Sequence, residues 1–187
     1  MELMDALRTR RSVRSYSAKE VDESTLEMLL EAAVLAPSAS NSQPWVFGYI
    51  RGAKNLKALS DRSKALLLSR MATNPSLERM RPRLEDPTVN LLHGAPALVA
   101  IYTKATGSWA RTDCAMAALQ LMLAAQELGL GTCWTGMVQA LFESDELKAE
   151  LGVPAEYTAV GVIAVGYPES ELPPSRGRNA PELLYRK

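Results

Sequence analysis

Histidine occurs once and cysteine twice in the 187 residues, and neither sign of charge is in excess, with 21 Lys plus Arg against 21 Asp plus Glu. Each shortage removes a class of function. One histidine, His93, and two distant cysteines, Cys114 and Cys133, cannot build a zinc centre, a disulfide framework or a Ser-His-Asp triad, so neither a metal site nor a triad is expected. Balanced charge offers no general attraction to nucleic acid or to an anionic membrane. The longest apolar run, Cys114 to Leu128, covers about 15 residues and includes Gln120, Gln126 and Glu127, short of the ~20 that span a bilayer. The opening MELMDALRTRR lacks the apolar centre of a signal peptide. These features together lead to the expectation of a cytoplasmic protein with reduced thiols, no nucleic-acid partner and no membrane partner.

What remains is ordinary for a globular chain: 47% hydrophobic and 22% charged residues, enough for a single domain over 1–187 with a substantial core. Leu3, Met4 and Leu7 share one face of a short opening helix that should end before RTRRSVR. Ser24 and Glu27 form a capping-box pattern ahead of Leu26, Leu29, Leu30, Ala33 and Val34, an amphipathic helix closed by Pro37. WVFGYI (45–50), ALVAIYT (97–103) and TAVGVIAVGY (158–167) read as strands. Residues 54 to 85 read as a helix that becomes ragged, and TDCAMAALQLMLAAQELGLG as a helix apolar on nearly every face, ended by Gly129. Such a helix belongs at the centre of a core or at an oligomer interface. Helices and strands alternate without a repeated strand-helix unit, which indicates an α+β domain and not a doubly wound one.

Three stretches could carry chemistry. Arg8, Arg10, Arg11 and Arg14 with Ser12 suit a phosphate, because guanidinium forks and a hydroxyl can share its oxygens; a solvated charged face explains the same run. GLGTCWTG (129–136) follows a helix and lacks Gly-Lys-Ser/Thr, so it fits no phosphate loop; its glycines allow a flat ligand close to the backbone, or simply cap the helix and turn. PSASNSQPW (37–45) is a loop bounded by Pro37 and Pro44 in which Ser38, Ser40, Asn41 and Gln43 cluster without a local reason. With no nucleophile and base in evidence, hard chemistry would belong to a bound cofactor.

Four segments in order and spacing, RTRRSVRSY, PSASNSQPW, DCAMAALQLMLAAQELGLGTCWTG and SRGR, resemble the nitroreductase family of flavoproteins over about residues 3 to 180, least well between 54 and 90. The resemblance implies a nitroreductase-like α+β sheet flanked by helices in an intertwined homodimer, with the C-terminal tail (about 168–187) on the partner subunit. It also implies FMN at the interface and ping-pong chemistry. NADH or NADPH reduces the flavin, and a nitroaromatic, quinone or related small-molecule acceptor then takes the hydride from flavin N5, with no catalytic side chain. Arg10 and Ser12 match positions that hold the FMN phosphate and ribityl chain, with Arg11 in the same cofactor-binding set, and Arg14 matches a basic residue at the pyrimidine edge. Pro37, Ser38, Ala39, Ser40 and Asn41, with Gln43 close by, match the loop that a neighbouring chain lays along the flavin; Ala39 stands where relatives often have Ser. Thr135 and Gly136 match the pair beside N5, Arg176 and Arg178 match basic positions reaching the phosphate, and Asn74 is a candidate for a pyrimidine-edge contact. The same resemblance admits a flavin-handling module with little turnover.

Overall fold

Strand β2 (Ala97–Thr103) is buried at all seven positions, which a strand achieves only when both faces of its sheet are covered. The computed structural model describes residues 2–172 and 177–187, and in it β2 lies inside a four-stranded sheet with β1 (Trp45–Arg51), β3 (Gly131–Trp134) and β4 (Thr158–Gly166), in the order β1-β2-β4-β3. Every neighbouring pair is antiparallel. Helices cover both faces, so the architecture is the α+β class expected, with no parallel crossover among these strands.

Alternation along the strands sorts the core into two layers. Leu98, Ala100 and Tyr102 face one way with Val162 and Ala164, under α3 (Ala53–Ser69), α6 (Gln139–Phe142) and α7 (Asp145–Leu151). Ala97, Val99 and Ile101 face the other way with Ile163 and Val165, under α2 (Glu23–Ala33) and α5 (Ser108–Glu127). The short helices α1 (Leu3–Thr9) and α4 (Arg81–Glu85) complete the set. Gly129, at φ +69°, closes α5 in the left-handed conformation that favours glycine.

Several local expectations need correction. The N-cap of α2 is Asp22, whose carboxylate accepts from the Thr25 N–H at 2.7 Å; the helix therefore starts early enough to place Ser24 inside it, and no Ser24–Glu27 box forms. The helix also ends at Ala33, before Pro37 acts. The α1 helix runs to Thr9, and its Leu3, Met4 and Leu7 point outward, 66%, 52% and 48% exposed. GLGTCWTG is not merely a cap and turn: Thr132, Cys133 and Trp134 pair with Val165, Ala164 and Ile163 as an edge strand, an extension that its flanking glycines conceal.

Outside β3 the chain lays one more piece of backbone. Ser12 forms a parallel bridge to Thr132, and the Val13 N–H donates to the Thr132 carbonyl at 2.9 Å. Gly131 permits this approach, since a Cβ there would stand 2.5 Å from Val13 Cγ2. Gly161 likewise makes room for the Trp134 indole, which lies 2.6 Å from its would-be Cβ. Gly131→Ala is therefore expected to destabilise the fold by about 1–3 kcal/mol through overpacking. A lower urea midpoint at unchanged slope is the expected result, and an unmoved midpoint would contradict the close approach.

Candidate functional site

The bridge along β3 fixes where the basic turn goes. Arg14 follows Val13 out of the bridge and lines a cleft of about 160 Å³ with Cys133, Trp134, Thr135, Gly136 and Met137 from the end of β3 and the 3-10 turn beyond it. Arg83, Leu91 and His93 close the other side. Tyr16 anchors the turn: its buried hydroxyl donates to the Val13 carbonyl at 2.9 Å, and burial, its largest influence, holds it firmly protonated.

Within the cleft, Thr135 is already engaged. Its N–H donates to the Val162 carbonyl at 2.8 Å and its hydroxyl to the same oxygen at 3.0 Å. Gly136 heads the 3-10 turn Gly136–Val138, so its N–H has no acceptor within the turn. No atom lies within 4 Å of its would-be Cβ. Gly136 is itself exposed, so a flat ligand edge has room to approach the backbone there. The Cys133 thiol, 3% exposed, is held protonated chiefly by burial, against the opposing influence of Arg14 and Arg10.

The cleft is cationic without being neutralised: neither Arg14 nor Arg83 forms an ion pair with any described residue. Arg10 is half-buried and also unpaired, and Ser12 is exposed beside it. Arg11 behaves differently. Its Nη1 donates to the carbonyls of Arg8, Thr9 and Arg10 at 2.8–3.0 Å, so the guanidinium caps the C-terminus of α1. Arg178 is exposed in the tail and donates to its neighbour Gly177, while Arg176 lies outside the described residues. Asn74 caps a 3-10 turn, its side-chain oxygen accepting from Ser76, and does not line the cleft. Arg83 and His93 were missed by the sequence reading; proline-broken local pattern gave no sign that α4 and the Asn90–Gly94 turn return to β3.

The loop from Pro37 to Gln43 stands elsewhere. Ser40, Asn41 and Gln43 adopt positive φ, at 53°, 53° and 45°, conformations that cost energy in non-glycine residues and need support from the surroundings. Support comes from the Ser38 hydroxyl, which accepts the Gln43 N–H at 3.1 Å, and from buried Asp113 on α5, which accepts the Ala39 N–H at 3.1 Å. Ala39, Ser40, Asn41 and Gln43 remain exposed, with Pro37 also exposed and Ser38 partly so. The loop leads into Trp45, which is level with Thr103 and Thr158, whereas Trp134 is level with Ile163 two strands beyond β2. Strand spacing and rise put these two positions, on opposite edges of the sheet, about 20 Å apart. One chain therefore does not bring the loop and the cleft together.

The Nitroreductase family profile matches residues 7–167. The chain belongs to the Nitroreductase family. A protein of Archaeoglobus fulgidus with a provisional name as an NADH dehydrogenase/NAD(P)H nitroreductase is 31% identical over 173 residues, covering 91% of this chain and 87% of the relative. The 5,6-dimethylbenzimidazole synthase of Rhodospirillum rubrum is also 31% identical, over 184 residues, covering 91% of this chain and 84% of its own. Among solved structures, a nitroreductase with bound FMN from Bacteroides fragilis superposes with a TM-score of 0.86 at 28% identity, covering 100% of both chains. Family members thus share this sheet and its flanking helices while carrying names for different reactions.

Removing the Asp113 carboxylate leaves the Ala39 N–H without its buried acceptor. Asp113→Ala is expected to cost about 1–3 kcal/mol locally and to speed amide exchange and proteolysis within residues 37–43. Unchanged protection of the loop would show that Asp113 does not hold it.

Proposed function

We propose that the protein is an FMN-dependent NAD(P)H oxidoreductase that works as a homodimer. The observation that carries this reading is the cleft itself: Gly136, with open space beside its backbone, lines a space rimmed by the cations Arg14 and Arg83, which form no ion pair with a described residue. The residues fit the group. Gly136 would donate to the flavin N5 region, Arg14 and Arg83 would face the pyrimidine edge, and Arg10 and Ser12, just outside the cleft on the same bridge, would hold the phosphate. Arg178 and Arg176 would reach that phosphate from the tail.

FMN, when bound, supplies the hydride acceptor and donor that the side chains lack. The chain's contribution is binding and electrostatics. Cationic groups beside the pyrimidine edge would favour the negative charge that reduction brings to the site. In a ping-pong sequence NADH or NADPH departs before a nitroaromatic, quinone or related acceptor enters the same cleft, so one face of the site serves both.

A second copy would complete the site, because the 37–43 loop and the cleft lie at opposite edges of one sheet, on β1 and β3. The surface supports such an assembly: Trp109 and Leu119 on α5 are 69% and 45% exposed, and Leu183, Leu184 and Tyr185 in the tail are 72%, 92% and 79% exposed. In the proposed dimer the single domain 1–187 keeps its own sheet, its tail from about 168 packs on the partner, and Pro37 to Gln43 lie along the partner's flavin.

The purified protein is expected to be yellow, to elute as a dimer, and to bleach anaerobically with NADH or NADPH; a protein that binds no added FMN would overturn the reading, and one whose flavin stays oxidised with both nicotinamides would be a flavin-handling module instead. Replacing Arg10 and Ser12 together by Ala is expected to weaken FMN binding by about 2–4 kcal/mol, measured by fluorescence titration. A turnover panel across acceptors then identifies the one that is used.

A further inference from the structure

The only histidine of the chain lies in the cleft, in a conformation that a histidine rarely adopts. His93 has φ +60° and is followed by Gly94 at φ +76°. The turn that holds them is pinned on every side. The Leu91 N–H donates to the buried Ser60 hydroxyl at 2.8 Å, the Leu92 N–H to the Asn90 side-chain oxygen at 2.8 Å, and the His93 N–H to the Asn90 carbonyl at 3.0 Å. Leu91 and Leu92 are 2% and 0% exposed. A strained residue held this firmly at a cleft is a reason to look for a role.

The other lining groups leave one role open. No carboxylate lines the cleft. The Cys133 thiol stays protonated, and the Thr135 hydroxyl is committed to Val162. His93 alone among the lining residues can change protonation near neutral pH. Resting on the reading of this cleft as a flavin site, we infer that His93 takes up a proton when the flavin is reduced and delivers it to the acceptor.

The balance is complete. A bound flavin would supply hydride uptake from NAD(P)H, with NAD(P)⁺ as the product and negative charge added to the site; for each hydride His93 would take one proton from solvent. As the acceptor takes that hydride, His93 would give its proton to the developing oxyanion and return to the neutral form. The surroundings suit this cycle. Burial, then Arg14, then Arg83 lower the His93 proton affinity below the ordinary imidazole value, so it begins neutral. The added negative charge opposes both arginines and raises the affinity.

A single histidine makes the test direct, because its imidazole is the only one in a ¹H–¹³C spectrum of the holoprotein. Titrated over about pH 5 to 8, it is expected to have a midpoint below the ordinary value in the oxidised protein and a proton affinity at least about tenfold higher in the reduced protein, a shift of one pKa unit. In weakly buffered solution near pH 7, anaerobic reduction by NADH should take up protons in the wild type and none in His93→Asn, which tolerates positive φ, or in His93→Gln. If FMN is bound but the midpoint is the same in both redox states, or if the variants take up protons as the wild type does, the inference is overturned and the flavin reading stands. Absence of FMN binding overturns both.

Discussion

The site depends on one backbone contact, the bridge between Ser12–Val13 and Thr132 on the outer edge of β3. It is made possible by Gly131, whose missing side chain leaves room for Val13. Once this segment is bonded to the sheet, with Ser12 beside Thr132, Arg14 is delivered to the place where β3 ends and the chain turns at Thr135–Gly136. Tyr16 secures the far side of the turn through the Val13 carbonyl. A rigid strand edge thereby positions arginines that in a free loop would lose much of their effect to side-chain entropy.

Charge is organised locally and not globally. A chain with equal numbers of acidic and basic residues still has a cleft rimmed by Arg14 and Arg83, with no carboxylate among its lining residues. Acidic side chains elsewhere are paired with other cations, as Glu146 and Glu150 are with Arg62, and Glu78 and Glu85 with Arg81. The cleft thus presents positive charge with no acidic neighbour on its lining, where an anionic ligand would be useful.

The Pro37–Gln43 loop shows the opposite arrangement. Its hydroxyl and amide groups partly satisfy one another, and Asp113 fixes it to α5, yet it presents Ala39, Ser40 and Asn41 to solvent in strained conformations. Within one chain this cost has no return. In the proposed dimer, a second copy beside the exposed side of α5 would give those groups a ligand.

Much of the chain was legible because its signal was local. The strand at Ala97–Thr103 and the long helix ended by Gly129 follow from periodicity and turn chemistry, and four separated segments were enough to point to the family. Where long-range contacts decided the outcome, local pattern failed. The edge strand β3 exists because β4 offers it partners, the cap of α2 is Asp22 because its carboxylate reaches Thr25, and Arg11 turns back onto α1 although its neighbours Arg10 and Arg14 do not. The sequence by itself determined which residues were available to bind an anion and a flat ligand, since residue type sets charge and hydrogen-bonding capacity. Only the tertiary structure decided that Arg83 and His93 join Arg14 and Gly136 while Asn74 does not, because meeting across so many residues depends on how the sheet and helices pack, and no local rule encodes that.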